Sequence, residues 1–188
     1  MKYNMSNMMC LGVYLSDLSE EEYTQVQTKM KPSEAIPMPL LSWDIFSHHF
    51  FKIREDLKIE NDIKIVKTFA KQNHWKNEID VIFKNQDFEA LIITDSEQNI
   101  IWVNDGFSKM TGYSKAFAVN KKPYFLQGND TSEQTKNRIR KGLTGIKPFK
   151  EVLTNYRKDK SPYECEVKII PLYNEKVTHF LAIEKSIG

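Results

Sequence analysis

Leu91-Ile92-Ile93-Thr94-Asp95-Ser96-Glu97-Gln98-Asn99-Ile100-Ile101-Trp102-Val103-Asn104, continuing through Phe107 and Met110 to Thr111-Gly112-Tyr113, is the stretch that decides the fold. Phe88 to Thr94 is rich in apolar, β-branched residues and reads as a strand. The polar cluster Asp95 to Asn99 reads as a turn, and Ile100 to Val103 as a second short strand. Asn104 can cap a helix that opens at Asp105, because its side-chain oxygen reaches the free N–H groups of the first turn. Phe107 and Met110 then supply an inward apolar face. Gly112 suits the left-handed residue that stops a helix.

Downstream, a helix is expected over Ser132 to Leu143, then three strands over Phe149 to Tyr156, Pro162 to Ile170 and Val177 to Ile183. The turns Lys158-Asp159-Lys160 and Tyr173-Asn174-Glu175-Lys176 make these three a meander. The expected class is α+β: a five-stranded antiparallel sheet with short helices, preceded by an N-terminal helical extension.

Upstream the pattern is helical. Only Gly12 lies before residue 100, whereas Gly106, Gly112, Gly128, Gly142 and Gly145 follow it. Ser19-Glu20-Glu21-Glu22 has the form of a capping box, opening a short helix to about Lys29. Pro32, Pro37 and Pro39 then interrupt the chain. Phe46, Phe50, Ile53 and Leu57 form one helical stripe, and Ile59, Ile63, Val66 and Ala70 a second, out of phase with it. The phase change predicts a kink or turn near Glu60-Asn61-Asp62. A further short helix is expected over Asn77 to Phe83. The stripes fit packing on the chain's own sheet or a dimer surface equally. Residues 46, 50, 53 and 57 are the candidate interface. The expected segments are 1–41, a flexible N-terminal region with a short helix; 42–86, the helical extension; and 87–188, the sheet domain.

The 188 residues are 40% apolar and 12% aromatic, enough to bury a core and too much for a disordered chain. A net charge of +2 argues against a dedicated nucleic-acid binder. Cys10 and Cys165 are too few and too distant for a disulfide scaffold or zinc ribbon. His48, His49, His74 and His179 lack metal-ligand spacing, so no metal site is expected. No apolar run is long enough to span a membrane. Met8 to Leu15 lacks the basic start and cleavage site of a signal peptide, which places the chain in the cytoplasm. No nucleophile–base pair or phosphate loop is visible, so no catalytic residues and no enzyme activity are expected.

The order of two strands, several helical turns and three hairpin strands resembles a PAS domain. The residues that carry the resemblance are Leu91 to Asp95, Ile100 to Asn104, Phe107 and Thr111-Gly112-Tyr113, similar to the family's N-x-x-F-x-x-x-T-G-Y signature. A narrower likeness lies in Phe125-Leu126-Gln127-Gly128, Arg140 and Leu153-Thr154-Asn155-Tyr156, which resemble the LOV subgroup of blue-light sensors that hold flavin mononucleotide. Where that subgroup reads G-x-N-C-R-F-L-Q, this chain reads Asn120-Lys121-Lys122-Pro123-Tyr124-Phe125-Leu126-Gln127. Pro123 therefore stands at the photoactive cysteine position, and proline has no nucleophile for an adduct.

The resemblance implies a ligand set of Gln127, Arg140, Asn155, Cys165 and Glu184. Gln127, Asn155 and Arg140 match the flavin-gripping set. Tyr124, Cys165 and Glu184 stand where the subgroup has an arginine, an asparagine and a glutamine. An ionised Glu184 can only accept hydrogen bonds where glutamine could donate, and one arginine clamps phosphate more weakly than two. FMN is thus a possible cofactor that the substitutions disfavour; another ligand is left unnamed. Strand parity puts Asn155 with Leu153, Cys165 with Tyr163 and Val167, and Glu184 with Phe180 and Ala182. Taken alone, these residues have plainer readings. Glu184 is near the end of the chain, where strands fray, and is expected in solvent. Arg140 lies in a charge run that reads as a solvated helix face, and Cys165 reads as a small core residue.

Three functions follow in order. The first is a stand-alone PAS-type sensory or protein-interaction module in signal transduction, since no effector domain is visible. The second is a flavin-binding, light- or redox-responsive protein that works without the cysteine. The third is a DNA-binding regulator. A homodimer through the N-terminal helices or a sheet face is expected, with a separate effector protein as a further partner.

Overall fold

In a computed structural model the described residues are 41–84 and 86–187, with Ser19, Glu22 and 24–26. Two compact units divide at Arg54 and Glu55. In the first, the Ser19 N–H donates to the Glu22 carboxylate at 3.1 Å, the contact the capping box requires.

Helix α1 spans Leu41–Gln72, and α2 spans Ile79–Phe83. Strands β1 (Ala90–Asp95) and β2 (Ile100–Val103) follow. Then come α3 (Asp105–Thr111), α4 (Lys115–Ala118), a 3-10 turn at Pro123–Leu126 and α5 (Glu133–Leu143). β3 (Phe149–Tyr156), β4 (Pro162–Tyr173) and β5 (Val177–Ser186) complete an antiparallel sheet of order β2-β1-β5-β4-β3. The expected α+β architecture is present.

Both sheet faces are covered. Ile92, Val167, Ile169 and Phe180 point inward, with Phe107 and Leu126 packed over them. Leu91, Ile93, Ile170, Leu172, Leu181 and Ile183 point outward. Val66 of α1, Ile79 and Phe83 of α2 and the intervening Trp75 cover that outer face. Double coverage explains why β1 reads as an unbroken apolar run.

Asn104 joins these layers. Its Oδ1 accepts the Phe107 N–H at 2.9 Å, capping α3, and the Leu91 N–H at 3.0 Å. Its Nδ2 donates to Asp62 on α1 at 2.8 Å. Burial raises the Asp62 carboxyl, opposed by this hydrogen bond. Gly112 ends α3 at φ 75°, the left-handed stop expected of it. At Gly106 a Cβ would lie 1.7 Å from the Glu89 carbonyl oxygen, so only glycine fits.

One expectation fails: α1 has no break at Glu60-Asn61-Asp62. No glycine or proline interrupts residues 41–72, so nothing stops the helix there. The phase change marks instead where α1 meets the sheet. Leu57 and Ile59 are exposed, whereas Ile63 and Val66 pack on the outer face.

Candidate functional site

Between the inward sheet face and the segment from the 3-10 turn to α5 lies a cavity of about 100 Å³. Its walls are mainly aliphatic, with Leu126, Ile139, Leu153, Val167 and Ile169 among them. Pro123, Gln127, Arg140, Asn155 and Glu184 also border it. Register explains the meeting. Asn155 pairs with Tyr163, Leu153 with Cys165 and Val167 with Glu184, so alternate residues of β3, β4 and β5 share the concave side.

Four of the five expected ligand residues therefore border one cavity. Cys165 is fully buried next to it without lining it; its thiol lies 3.8 Å from the Glu166 carbonyl. Arg140 is exposed at the mouth and donates to Asn137 Oδ1 at 3.1 Å. Tyr124, itself exposed, also borders the cavity with Gln98, donating its hydroxyl to Gln98 Oε1 at 2.8 Å.

Glu184 corrects the expectation that it is solvated: it is 5% exposed. β5 does not fray there, because it runs on to Ser186 between β1 and β4. Glu184 stands opposite Ala90 on one side and Val167 on the other. Burial pushes its carboxyl up to about 7, opposed only by the neighbouring Cys165 thiol. Burial, then the Glu184 carboxylate, likewise raises the Tyr163 phenol and the Cys165 thiol, so both stay protonated at ordinary pH. A thiol held in that form is a poor nucleophile.

Glu184 Oε2, Asn155 Oδ1 and the Tyr163 hydroxyl are buried with no hydrogen-bond partner. Parity puts Tyr163 on one face with Cys165 and Val167, but nothing in the sequence marks it as part of this polar group. Lys136, also bordering the cavity, was missed although it lies one helical turn before Arg140 on α5.

These residues do not fit FMN. The flavin edge presents two carbonyl acceptors. Glu184 faces the cavity as an acceptor once ionised, and like groups repel.

Of the expected interface, Ile53 and Leu57 are exposed at 42% and 59%. The side chains of Phe46 and Phe50 lie outside the described residues, as do those of His48 and His49. Trp75 Nε1 donates to Thr178 Oγ1 at 3.2 Å and lies 3.3 Å from His179 Nδ1, placing that histidine at the core edge. No cluster of metal-ligating side chains occurs among the described residues. No helix among them is long and apolar enough to cross a membrane.

The family model described as PAS domain matches residues 89–187. A blue-light photoreceptor of Listeria monocytogenes is 37% identical over 116 residues, covering 58% of this chain and 46% of its own length. A voltage-gated inwardly rectifying potassium channel of Homo sapiens is 40% identical over 93 residues, covering 47% of this chain and 9% of the channel. The chain thus spans less than half the length of either relative. Among solved structures, the LOV domain of a blue-light activated histidine kinase from Erythrobacter litoralis superposes with a TM-score of 0.52 at 31% identity, covering 55% of this chain and 99% of that one. The PAS domain of a fruit-fly potassium channel does so at 0.51 and 30%, covering 60% and 98%.

Proposed function

The chain belongs to the PAS domain family, and from that premise we propose a sensory module of signal transduction that reads occupancy of its inner cavity. The observation that carries this reading is the alternation along β5. Phe180, Ala182 and Glu184 border the cavity, while Leu181 and Ile183 between them pack with Val66, Ile79 and Phe83 on the other side of the sheet. A ligand that moves the Glu184 side chain shifts a strand that also anchors the helices. Only a ligand with different affinity for the two packings can bias them.

Output then passes through α1, either to a second copy across the stripe at Ile53 and Leu57 or to a separate effector protein. The module works in the cytoplasm. It is a regulator rather than an enzyme, since the buried Cys165 thiol and Tyr163 phenol beside Glu184 are held protonated. Adduct photochemistry has no place in it, because Pro123 offers no thiol. Flavin-dependent light sensing is the second reading, favoured by the blue-light photoreceptor relatives and disfavoured by the acceptor Glu184 in the cavity; DNA binding gains no support, since charge on α1 and α2 is mixed, with Lys67 paired to Asp80 at 2.5 Å.

The test is an absorbance spectrum of the purified protein, with mass spectrometry of whatever denaturation releases. A colourless protein that releases or binds a small molecule agrees with the proposal. A structured band near the flavin region would promote the flavin-binding reading, and a protein that neither releases nor binds a small molecule would refute the sensory one.

A further inference from the structure

We propose that the cavity selects a compact ligand with N–H donors, a single-ring amine or amidine, through the carboxylate of Glu184 and the amide oxygen of Asn155. This deepens the sensory reading and rests on it. Both side chains are nearly out of solvent, at 5% and 4% exposure. Each reaches the cavity wall with an oxygen that has no partner. An oxygen left dry and unpaired is costly, and the cost is recovered when a donor arrives.

The neighbours do not supply that donor. The Tyr163 hydroxyl is itself unpartnered, and the Cys165 thiol is a weak donor lying near the Glu166 carbonyl. Lys136 is tied to Glu133 at 2.8 Å, and the exposed Arg140 to Asn137. Glu184 Oε2 and Asn155 Oδ1 therefore present unsatisfied acceptors, and the rest of the wall is mainly aliphatic, with Thr94, Gln98, Gln127 and Lys136 also bordering it. The void of about 100 Å³ opens at its mouth, so a single ring seats its polar end inward with its far edge at the opening. The mouth has the opposite preference, since Arg140 there would favour an anion.

Benzamidine and benzoate separate these preferences, being alike in shape and opposite in hydrogen-bonding character. Binding to the full chain is measured by titration calorimetry at pH 8, alongside Glu184→Gln. The expected result is that benzamidine binds, benzoate binds at least tenfold more weakly, and the variant loses at least tenfold in benzamidine affinity. The variant's circular dichroism should match the parent, so the loss is not unfolding. Tighter binding of benzoate, or benzamidine affinity unchanged in the variant, would overturn the donor rule and leave a small-molecule sensor standing. If neither probe binds and native mass spectrometry of protein from its host finds no bound small molecule, the sensory reading fails as well.

Discussion

Glu184→Gln should stabilise this protein in alkaline solution and do little in acid. The Glu184 carboxyl ionises near 7 in the fold, against an ordinary 4.5 in the unfolded chain. Below pH 4.5 both states hold the proton, and burial costs only what a neutral acid costs. As pH rises from there to 7 the unfolded chain gives up its proton first, so the folded state binds more protons and stability falls. Above 7 both are ionised and the penalty is complete. At about 1.4 kcal/mol per decade, that penalty is about 3 kcal/mol. Glutamine keeps the shape and hydrogen-bonding capacity without the charge. Urea unfolding at pH 5 and pH 8.5, followed by the fluorescence of Trp75 and Trp102, gives the comparison. The variant should be more stable than the parent by about 3 kcal/mol at pH 8.5 and by under about 1 kcal/mol at pH 5. A variant that gains equally at both pH values, or loses at pH 8.5, would show that Glu184 is hydrated or paired when ionised.

Three further outcomes are expected. Asn104→Ala removes the cap of α3 and strands the buried Leu91 N–H and Asp62, and should cost about 3 kcal/mol in urea unfolding; a loss below about 1 kcal/mol would contradict the joining role. Gly106→Ala drives a methyl into the Glu89 carbonyl and should cost about 3 kcal/mol or more, so a melting curve like the parent's would disprove the close approach. Replacing Ile53 and Leu57 with Glu should leave the fold intact, since both are exposed, yet halve the mass seen by light scattering. An unchanged mass would remove this stripe as the dimer surface.

What the sequence determined is local. Asn104 as cap, Gly112 as left-handed stop and strands at Ile100–Val103 and Phe149–Tyr156 all follow from propensity and spacing within a few residues. Strand parity grouped Asn155 with Leu153, Cys165 with Tyr163 and Val167, and Glu184 with Phe180 and Ala182 for the same reason: alternation is a property of a strand by itself. The tertiary structure decided the environment of those faces. Glu184 looked solvated by its nearness to the end of the chain. It is buried because β5 lies at the middle of the sheet, between its hairpin partner β4 and β1, which is distant in sequence. Its orphaned oxygen, and those of Asn155 and Tyr163, depend on what stands opposite them across the cavity, which no local pattern contains. The two stripes of α1 were visible as a change of phase. That Ile63, Val66 and Ala70 would cover the sheet while Ile53, Leu57 and Ile59 stayed exposed was settled by where the helix meets the outer face, since a helix stripe carries no mark of the surface it will cover.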